Sequence, residues 1–254
     1  MLSYKQYVIS KDAKWLTFVH GAGGSSTIWH KQIKDLQPFF NLLLIDLRGH
    51  GRSNHMPIDN EYCLDDITNE IAEVCQHLGI KKSHFMGVSL GSIIIAKLTQ
   101  SRPQLVDKVV LSGAITSFTF KTRFLLALFQ SLKNVLPNML LYASFAWIVM
   151  PKKNHKISRQ LFVKEAQKIK HRAFRKWLRL LPEIKATIET ISDLRIDRPV
   201  LFISGNEDYL FVNQIEDYVK DKSNCVLKRV KQSGHIVNID QSQRFNQLSL
   251  NFLK

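Results

Sequence analysis

The chain has 254 residues, of which 45% are hydrophobic and 22% charged, as is typical of one large globular domain with or without an insertion. Three scattered cysteines, Cys63, Cys75 and Cys225, lack C-x-x-C spacing, which argues against a disulfide framework or a zinc site and favours a cytoplasmic protein. No secretory signal is expected at the N-terminus, and the net charge of +15 leaves an acidic partner open.

Strand-like and helix-like segments alternate along most of the chain. Strands are predicted over Tyr4–Ser10, Lys14–His20, Asn41–Asp46, Ser83–Val88, Lys108–Gly113, Pro199–Ser204 and Cys225–Val230. Helices are predicted over Thr27–Leu36, Leu64–Gly79, Ser89–Ser101, Asn213–Asp221 and Gln241–Leu253. This alternation predicts an α/β fold with a mostly parallel central sheet that helices cover on both faces.

One segment, residues 117–193, differs from the rest in charge. It carries fifteen Lys or Arg and four Asp or Glu, a balance of +11, which leaves +4 for the remainder of the chain. We therefore predict a helical cap inserted into a core domain formed by residues 1–116 and 194–254. Its most apolar stretch, Met139–Met150, is well short of the ~20 residues that span a bilayer, so no transmembrane helix is expected.

Polar residues follow the predicted strands where each one ends. The loops are HGAGGS (His20–Ser25), DLRGHGRS (Asp46–Ser53), GVSLGS (Gly87–Ser92), GNED (Gly205–Asp208) and SGH (Ser233–His235). The carboxyl ends of parallel strands meet at one edge of a sheet, where ligands bind. These loops would therefore bring a serine, an aspartate and a histidine to one edge, in that chain order.

The set of loops resembles the α/β-hydrolase family, in which G-x-S-x-G forms a nucleophile elbow and the order is Ser, Asp or Glu, His. The resemblance covers nearly the whole chain apart from the insertion, and it implies a hydrolase that needs no metal or organic cofactor. Two features depart from the family: only 19 residues precede His20, and Ser92 stands where a second glycine is common.

The resemblance also implies roles for individual residues. Ser89 would be the nucleophile, His235 its general base, and Asp208 the group that orients the imidazole. The backbone N–H groups of Ala22 and Leu90 would form the oxyanion hole. Glu207 is a rival to Asp208, and the family's spacing favours Asp208.

Structural interpretations compete with these roles. Ser89 could be an ordinary turn serine and His235 a structural histidine, because eight other histidines are present. His20 is expected to shape its loop, and DLRGHGRS to act as scaffold through turns and an ion pair of Arg48.

The insertion is rich in aromatic residues, and Phe118, Phe124 and Trp147 are predicted to contact an apolar acyl group, although they could equally form the insertion's own core. Residues Arg159–Pro182 are predicted to form one amphipathic helix ended by Pro182. Its basic stripe consists of Lys164, Lys168, Arg172, Arg175 and Arg179. The stripe is either a solvated face or a surface for weak contact with anionic lipid or an acidic partner.

The sequence thus predicts a serine hydrolase that cleaves a small-molecule carboxylic ester with an apolar acyl group through an acyl-enzyme. A thioesterase, an acyltransferase or a carbon–carbon hydrolase remains open, as does a ligand-binding or membrane-surface module with little turnover. Nucleic acid is disfavoured as a partner because no nucleic-acid-binding motif accompanies the charge. The sequence leaves the oligomeric state undetermined, and the protein is expected in the cytoplasm, with or without peripheral membrane contact.

Overall fold

The structure is a computed structural model, and it describes residues 1–57, 61–132, 135–193 and 198–254, with the side chains of residues 191–193 left out. A seven-stranded sheet in the order β1-β3-β2-β4-β5-β6-β7 forms its centre. The strands are β1 Tyr4–Tyr7, β2 Trp15–Val19, β3 Asn41–Ile45, β4 Ser83–Val88, β5 Val106–Ser112, β6 Val200–Gly205 and β7 Cys225–Val230. The predicted α/β class is confirmed.

Only β1 runs antiparallel to its neighbour in the sheet, where it pairs with β3. The other six strands are parallel to one another, so their carboxyl ends share one edge. The central strand β4 is buried along its whole length, as are β3 and β6. A continuous apolar run is what a parallel strand with both faces covered requires.

Helices cover both faces of the sheet and extend beyond one edge. They are α1 His30–Leu36, α2 Leu64–His77, α3 Leu90–Ser101, α4 Phe120–Leu132, α5 Asn138–Val149, α6 Lys156–Ala166, α7 His171–Arg179, α8 Leu181–Asp193, α9 Val212–Val219, α10 Val237–Asp240 and α11 Ser242–Leu253. Residues of α2, α3, α8 and α9 pack in one hydrophobic core, and residues of α1, α5, α10 and α11 in the other. Alternate residues of β3 contribute to opposite cores: Leu43 and Ile45 to the first, Leu42 and Leu44 to the second.

Five helices, α4 to α8, lie between β5 and β6, where the sequence predicts the insertion. The single helix predicted over Arg159–Pro182 is instead two, because turn residues 167–170 separate α6 from α7. Pro182 does not end α7, which stops at Arg179, but lies in the first turn of α8, where its missing N–H costs nothing. The boundaries 117 and 193 stay a prediction, and the second adjoins residues 194–197, outside the described residues.

The apolar stretch Met139–Met150 forms most of α5, a helix of 12 residues. None of the helices in the described part of the chain has the length and hydrophobicity that a membrane span needs.

Candidate active site

Ser89 is held in an unusual backbone conformation at the carboxyl end of the central strand. It lies between the end of β4 and the start of α3, with φ 53° and ψ −120°, and only Gln232 shares a positive φ among the described non-glycine residues. Such a conformation costs of order 1–3 kcal/mol for a residue with a Cβ, so the surroundings must enforce it. It is the geometry expected of a nucleophile elbow.

Two glycines allow the strand and the helix to approach each other at this elbow. A Cβ on Gly91 would lie 2.3 Å from the Val19 carbonyl oxygen, and one on Gly87 would lie 2.5 Å from Cδ1 of Ile95. Any side chain at either position would push α3 away from the sheet. The G-x-S-x-G spacing is therefore a packing requirement of this turn.

The backbone groups of Ser89 are both hydrogen-bonded, which fixes the turn. Its N–H donates to the carbonyl oxygen of Ser112 at the end of β5, over 3.0 Å. Its carbonyl oxygen accepts from the N–H and from the hydroxyl of Ser92, over 2.8 and 2.6 Å. Ser92, the residue that departs from the family pattern, thus contributes an extra hydrogen bond to the elbow.

Asp208 and His235 are joined directly. Asp208 follows β6 and His235 follows β7, and Oδ2 of the carboxylate lies 2.8 Å from Nδ1 of the imidazole. Both side chains are almost fully buried. A carboxylate bonded to Nδ1 favours the tautomer that leaves Nε2 free to accept a proton, which is the arrangement of a general base and its orienting acid.

The His235 ring packs against the strand that neighbours the elbow. A Cβ on Gly113 would lie 3.0 Å from Nδ1 and 3.1 Å from Cε1 of His235, and Gly113 directly follows Ser112, which binds the Ser89 N–H. The structure therefore brings all three predicted residues to one corner of the sheet. The hydrogen bonds of the described residues do not include one from Ser89 Oγ to His235, and such contacts are often longer in unliganded sites.

The turn after β2 lies against the elbow and contains Ala22, one of the two predicted oxyanion donors; the other, Leu90, is the first residue of α3. A Cβ on Gly21 would be 3.2 Å from Cβ of Ser89, so the two backbones are in direct contact. Ala22 and Leu90 line the same cavity as Ser89. Among the described residues, neither backbone N–H donates to a protein acceptor, which leaves both for a ligand oxygen.

Two buried histidines hold this turn in place. His20 Nε2 accepts from the Leu47 N–H over 3.0 Å, and its Nδ1 lies 2.8 Å from the Gly21 carbonyl oxygen. His50 Nε2 accepts from the Gly23 N–H over 3.1 Å. Burial lowers the pKa of His20 and, together with the neighbouring His20 ring, lowers the pKa of His50 to about 3. Both act as neutral scaffold, as predicted for His20.

The remainder of the DLRGHGRS loop is also structural. Asp46 accepts hydrogen bonds from the N–H groups of Ser26 and Arg52, over 2.6 and 3.0 Å. Arg48 pairs with Glu70, as the predicted ion pair requires. Among the described residues, this loop contributes only His50 to the lining of the cavity at Ser89.

A cavity of about 180 Å³ opens at Ser89 beneath the helices between β5 and β6. Its walls are almost entirely apolar. They include Leu125, Leu126 and Phe129 of α4, Leu141 and Phe145 of α5, Phe174 and Trp177 of α7, and Phe211 after β6. Pockets with apolar walls and few polar groups select apolar ligands.

Only one of the three predicted substrate contacts lines the cavity. Phe118 lines the cavity. Phe124 and Trp147 do not, since their side chains are 63% and 57% exposed on the outer faces of α4 and α5. The helical period explains this difference: Leu125 and Leu126 point inward, and Phe124 lies on the opposite side of the same helix. The sequence identifies these aromatic residues but not the direction in which they point.

Glu207, the sequence neighbour of Asp208, faces the insertion. Its carboxylate lies 2.8 Å from Nε2 of the fully buried His155 and accepts from Lys152 and Asn154, over 2.9 and 2.8 Å. Burial raises its pKa, but these hydrogen bonds outweigh burial and lower the pKa to about 2. Glu207 thus ties the segment before α6 to the loop of Asp208. Sequence reasoning missed this contact, because nothing in the sequence pairs residues 152–155 with residue 207.

Comparison with known proteins agrees with the fold. The model of the family described as alpha/beta hydrolase fold matches residues 14–242. A protein named "Putative carbamate hydrolase RutD" from Stutzerimonas stutzeri is 26% identical over 255 residues, which is 95% of this chain and 92% of that protein.

Solved structures resemble the chain over its whole length. One from a study of carboxylesterases of Nitrososphaera gargenis has a TM-score of 0.80 at 20% identity and covers 99% of this chain and 93% of that one. The meta-cleavage product hydrolase CumD of Pseudomonas fluorescens IP01 has a TM-score of 0.77 at 19% identity, with 99% and 94% covered. At these identities the likeness concerns the fold alone.

Proposed function

The chain belongs to the alpha/beta hydrolase fold family, and from that premise we propose that it is a serine hydrolase that cleaves a carboxylic ester with an apolar acyl group. One observation carries the proposal: the strained elbow holds Ser89 at the opening of an apolar cavity, beside the hydrogen-bonded pair of Asp208 and His235. A turn serine with no catalytic role would need none of these companions.

In the first half-reaction, Ser89 Oγ attacks the carbonyl carbon of the ester while its proton passes to Nε2 of His235. Asp208 stabilises the imidazolium that forms. The carbonyl oxygen becomes an oxyanion and accepts from the N–H groups of Ala22 and Leu90. When the intermediate collapses, the bond to the leaving oxygen breaks, His235 returns the proton to that oxygen, and the alcohol departs.

In the second half-reaction, water attacks the acyl-enzyme. His235 takes a proton from the water as its oxygen bonds to the acyl carbon, and the same two N–H groups hold the oxyanion. The bond to Ser89 Oγ then breaks, His235 returns the proton to Ser89, and a carboxylic acid leaves. Each step uses only groups of this chain and a water molecule.

The cavity supports the choice of an apolar acyl group. Its volume of about 180 Å³ exceeds what a short polar acyl group would fill, and its lining offers that group few hydrogen-bond partners. Burying each methylene of an acyl chain there is worth about 0.8 kcal/mol. We therefore infer that affinity rises with chain length until the cavity is full.

Hydrolysis of a carbamate is a second candidate. The relative from Stutzerimonas stutzeri is named "Putative carbamate hydrolase RutD", and the match covers nearly its full length. The same serine, base and oxyanion donors would serve it, since a carbamate carbonyl passes through the same kind of tetrahedral intermediate. The apolar cavity favours the ester. Thioester hydrolysis, acyl transfer to another acceptor and carbon–carbon cleavage differ from it only in the leaving or accepting group.

A fluorophosphonate probe tests for the activated serine. Ser89 Oγ should displace fluoride from phosphorus and form a stable adduct in the native protein. His235→Ala should label far more slowly, because no base then removes the serine proton. Trypsin releases Ser89 within the peptide spanning residues 83–97, which also contains Ser83 and Ser92. Fragment ions must therefore assign the modified residue.

Ser92→Ala is the matched control, since it removes a nearby hydroxyl that donates to the Ser89 carbonyl and keeps the proposed nucleophile. It should still label, while Ser89→Ala should not. No adduct in folded native protein would contradict the proposal and favour a binding module with little turnover, and an adduct retained in Ser89→Ala would show that another residue is the reactive nucleophile.

A substrate series then separates the candidates. p-Nitrophenyl esters of increasing acyl length and matched p-nitrophenyl carbamates share a leaving group, so their kcat/KM values compare the acyl part alone. The ester proposal expects a maximum at an intermediate chain length. Faster turnover of the carbamates would replace it with the carbamate reaction.

A further inference from the structure

Helix α4 exposes large apolar side chains on the side that faces away from the cavity. Phe120, Phe124 and Leu128 follow one another at intervals of four residues and are 85%, 63% and 43% exposed. They form one stripe along the helix. The opposite side of α4 is also apolar, with Leu126 and Phe129 lining the cavity.

Helix α5 repeats this pattern. Leu140, Trp147 and Ile148 are 52%, 57% and 42% exposed, whereas Leu141 and Phe145 line the cavity. The rings of Phe129 and Phe145 pack edge to face at 5.8 Å and hold the two helices side by side. We call the exposed stripes of α4 and α5 the outer apolar surface; its members are Phe120, Phe124, Leu128, Leu140, Trp147 and Ile148.

A helix on the surface of a soluble protein normally buries one apolar stripe and exposes a polar one. Here two adjacent helices are apolar on both sides, so the cavity does not account for their outer residues. Large exposed apolar side chains grouped on neighbouring helices mark a contact with a partner or a membrane. The charge around it indicates which.

Basic residues border the outer apolar surface. Lys121 and Arg123 flank the stripe of α4, and both are exposed. Beside α5, Lys156 and Lys164 of α6 line the same shallow groove as Trp147. Glu189 lies 3.7 Å from Arg123 and offsets part of its charge.

Arg159 packs beneath this surface and fixes Trp147. Its guanidinium lies 3.5 Å from the centre of the Trp147 ring, but the side chain is buried and donates to the backbone carbonyl oxygens of Met150 and Lys152, so the charge available to a ligand comes from the exposed Lys and Arg.

We propose that the outer apolar surface of α4 and α5 docks on an anionic lipid bilayer, with its apolar side chains in the acyl boundary and the bordering Lys and Arg at the phosphates. The charge selects this occupant. Residues 117–193 carry a balance of +11, so a second copy of the chain would meet like charge, whereas an anionic leaflet supplies the opposite charge. Docking needs no turnover, so its test stands apart from that of the hydrolase.

The test measures binding of the full chain to vesicles by co-sedimentation. Vesicles of phosphatidylcholine mixed with phosphatidylglycerol should bind the native protein, pure phosphatidylcholine vesicles should bind it much less, and salt should weaken the binding. Phe120→Ser with Phe124→Ser should reduce the partition coefficient roughly tenfold or more. Both side chains are exposed, so thermal unfolding should be almost unchanged.

Val8→Ser with Ile9→Ser is the matched control, because it removes two apolar side chains of 54% and 44% exposure outside the insertion. It should bind vesicles as the native protein does. Native-like binding by the Phe120 and Phe124 variant, equal binding to both kinds of vesicle, or no binding at all would overturn the proposal. So would a dimer in sedimentation that the same variant disrupts, since a second copy would then cover the surface.

Discussion

The sheet domain and the inserted helices differ in which side chains they bury and which they expose. Around the sheet, polar groups are buried where strands end, and Asp208, His20 and Ser112 have no exposed surface. In the insertion, apolar groups are exposed. Of the fourteen large hydrophobic side chains that the described residues expose, eight lie within residues 117–193, less than a third of the chain.

This difference indicates that the two regions have different roles. The sheet domain can bury polar groups because neighbouring strand ends supply their hydrogen-bond partners, and it thereby fixes the geometry that catalysis needs. The insertion contributes walls to the cavity and an outer surface, and neither requires a fixed polar geometry. We expect changes in the sheet domain to affect the rate of chemistry, and changes in the insertion to affect which substrate or surface is bound.

Asp208→Asn should have the largest effect. An amide in place of the carboxylate favours the wrong imidazole tautomer, and in the serine triad this costs about 10⁴ in kcat. Glu207→Gln changes the neighbouring carboxylate, which bonds to the insertion, and should cost far less. Steady-state kinetics with a p-nitrophenyl ester compares the two variants. A greater loss of kcat in Glu207→Gln would mean that Glu207 is the orienting acid and that Asp208 was wrongly assigned.

Gly113→Ala should have the next largest effect, again within the sheet domain. Its φ of +50° is unfavourable for alanine by about 1–2 kcal/mol, and the new Cβ would lie 2.4 Å from the His235 carbonyl oxygen. Displacement of His235 should lower kcat/KM by roughly tenfold or more.

Gly79→Ala is the control for Gly113→Ala. Gly79 has a φ of +68° but open space around it, so alanine there should lower the free energy of unfolding by a similar conformational term while activity is kept. Denaturant unfolding and ester kinetics on both variants separate the backbone strain of the alanine from the displacement of His235. Equal activity in the two variants would show that Gly113 does not position His235.

Leu126→Trp should act within the insertion, by filling the cavity. The optimum acyl length should shift to shorter esters, with roughly tenfold lower kcat/KM for the longest ones. Ala127→Trp adds the same side chain one residue further along, on the exposed side of α4, and should leave the chain-length profile unchanged. Parallel shifts in both variants would mean that α4 is not oriented as described.

The pH dependence of stability should show the smallest effect. Burial lowers the pKa of His20, His50 and His84, to about 3 for His50 and about 4 for His84, so the folded state binds fewer protons than the unfolded state. The contribution of these histidines to the free energy of unfolding is therefore fully present above pH 6.5, and it is lost as the pH decreases toward their folded-state pKa values.

Each of these histidines can contribute a slope of up to about 1.4 kcal/mol per pH unit. Urea unfolding at pH 7, 6 and 5 measures the slope, and His50→Asn should make it shallower. An unchanged slope in that variant would show that His50 is not neutral in the folded protein.

Periodicity and spacing predicted all seven strands of the sheet, although the first was predicted to reach Ser10 and β1 ends at Tyr7, and the short helix α10 was missed. The segments predicted as strands over Asn41–Asp46 and Ser83–Val88 are β3 and β4 to within one residue. Parallel topology then brought the loops after β4, β6 and β7 to one edge without further information. Ser89, Asp208 and His235 could be proposed together for that reason, and the structure joins the last two at 2.8 Å.

The insertion was less predictable, and the reasons are physical. Because α4 and α5 are apolar on both sides, hydrophobic periodicity does not tell the inner side from the outer, so Phe124 and Trp147 were predicted to meet the substrate. The break between α6 and α7 at residues 167–170 has no glycine or proline to mark it.

By itself, the sequence determined what depends on local rules: the strand and helix periods, the glycines that the elbow needs, and the chain order of Ser89, Asp208 and His235. Only the tertiary structure decided what depends on packing between distant segments. It showed that Glu207 bonds to His155, that Gly113 packs against His235, and that α4 and α5 turn Phe124 and Trp147 outward. These contacts join residues far apart in the chain, and no local pattern encodes which distant residue will lie opposite.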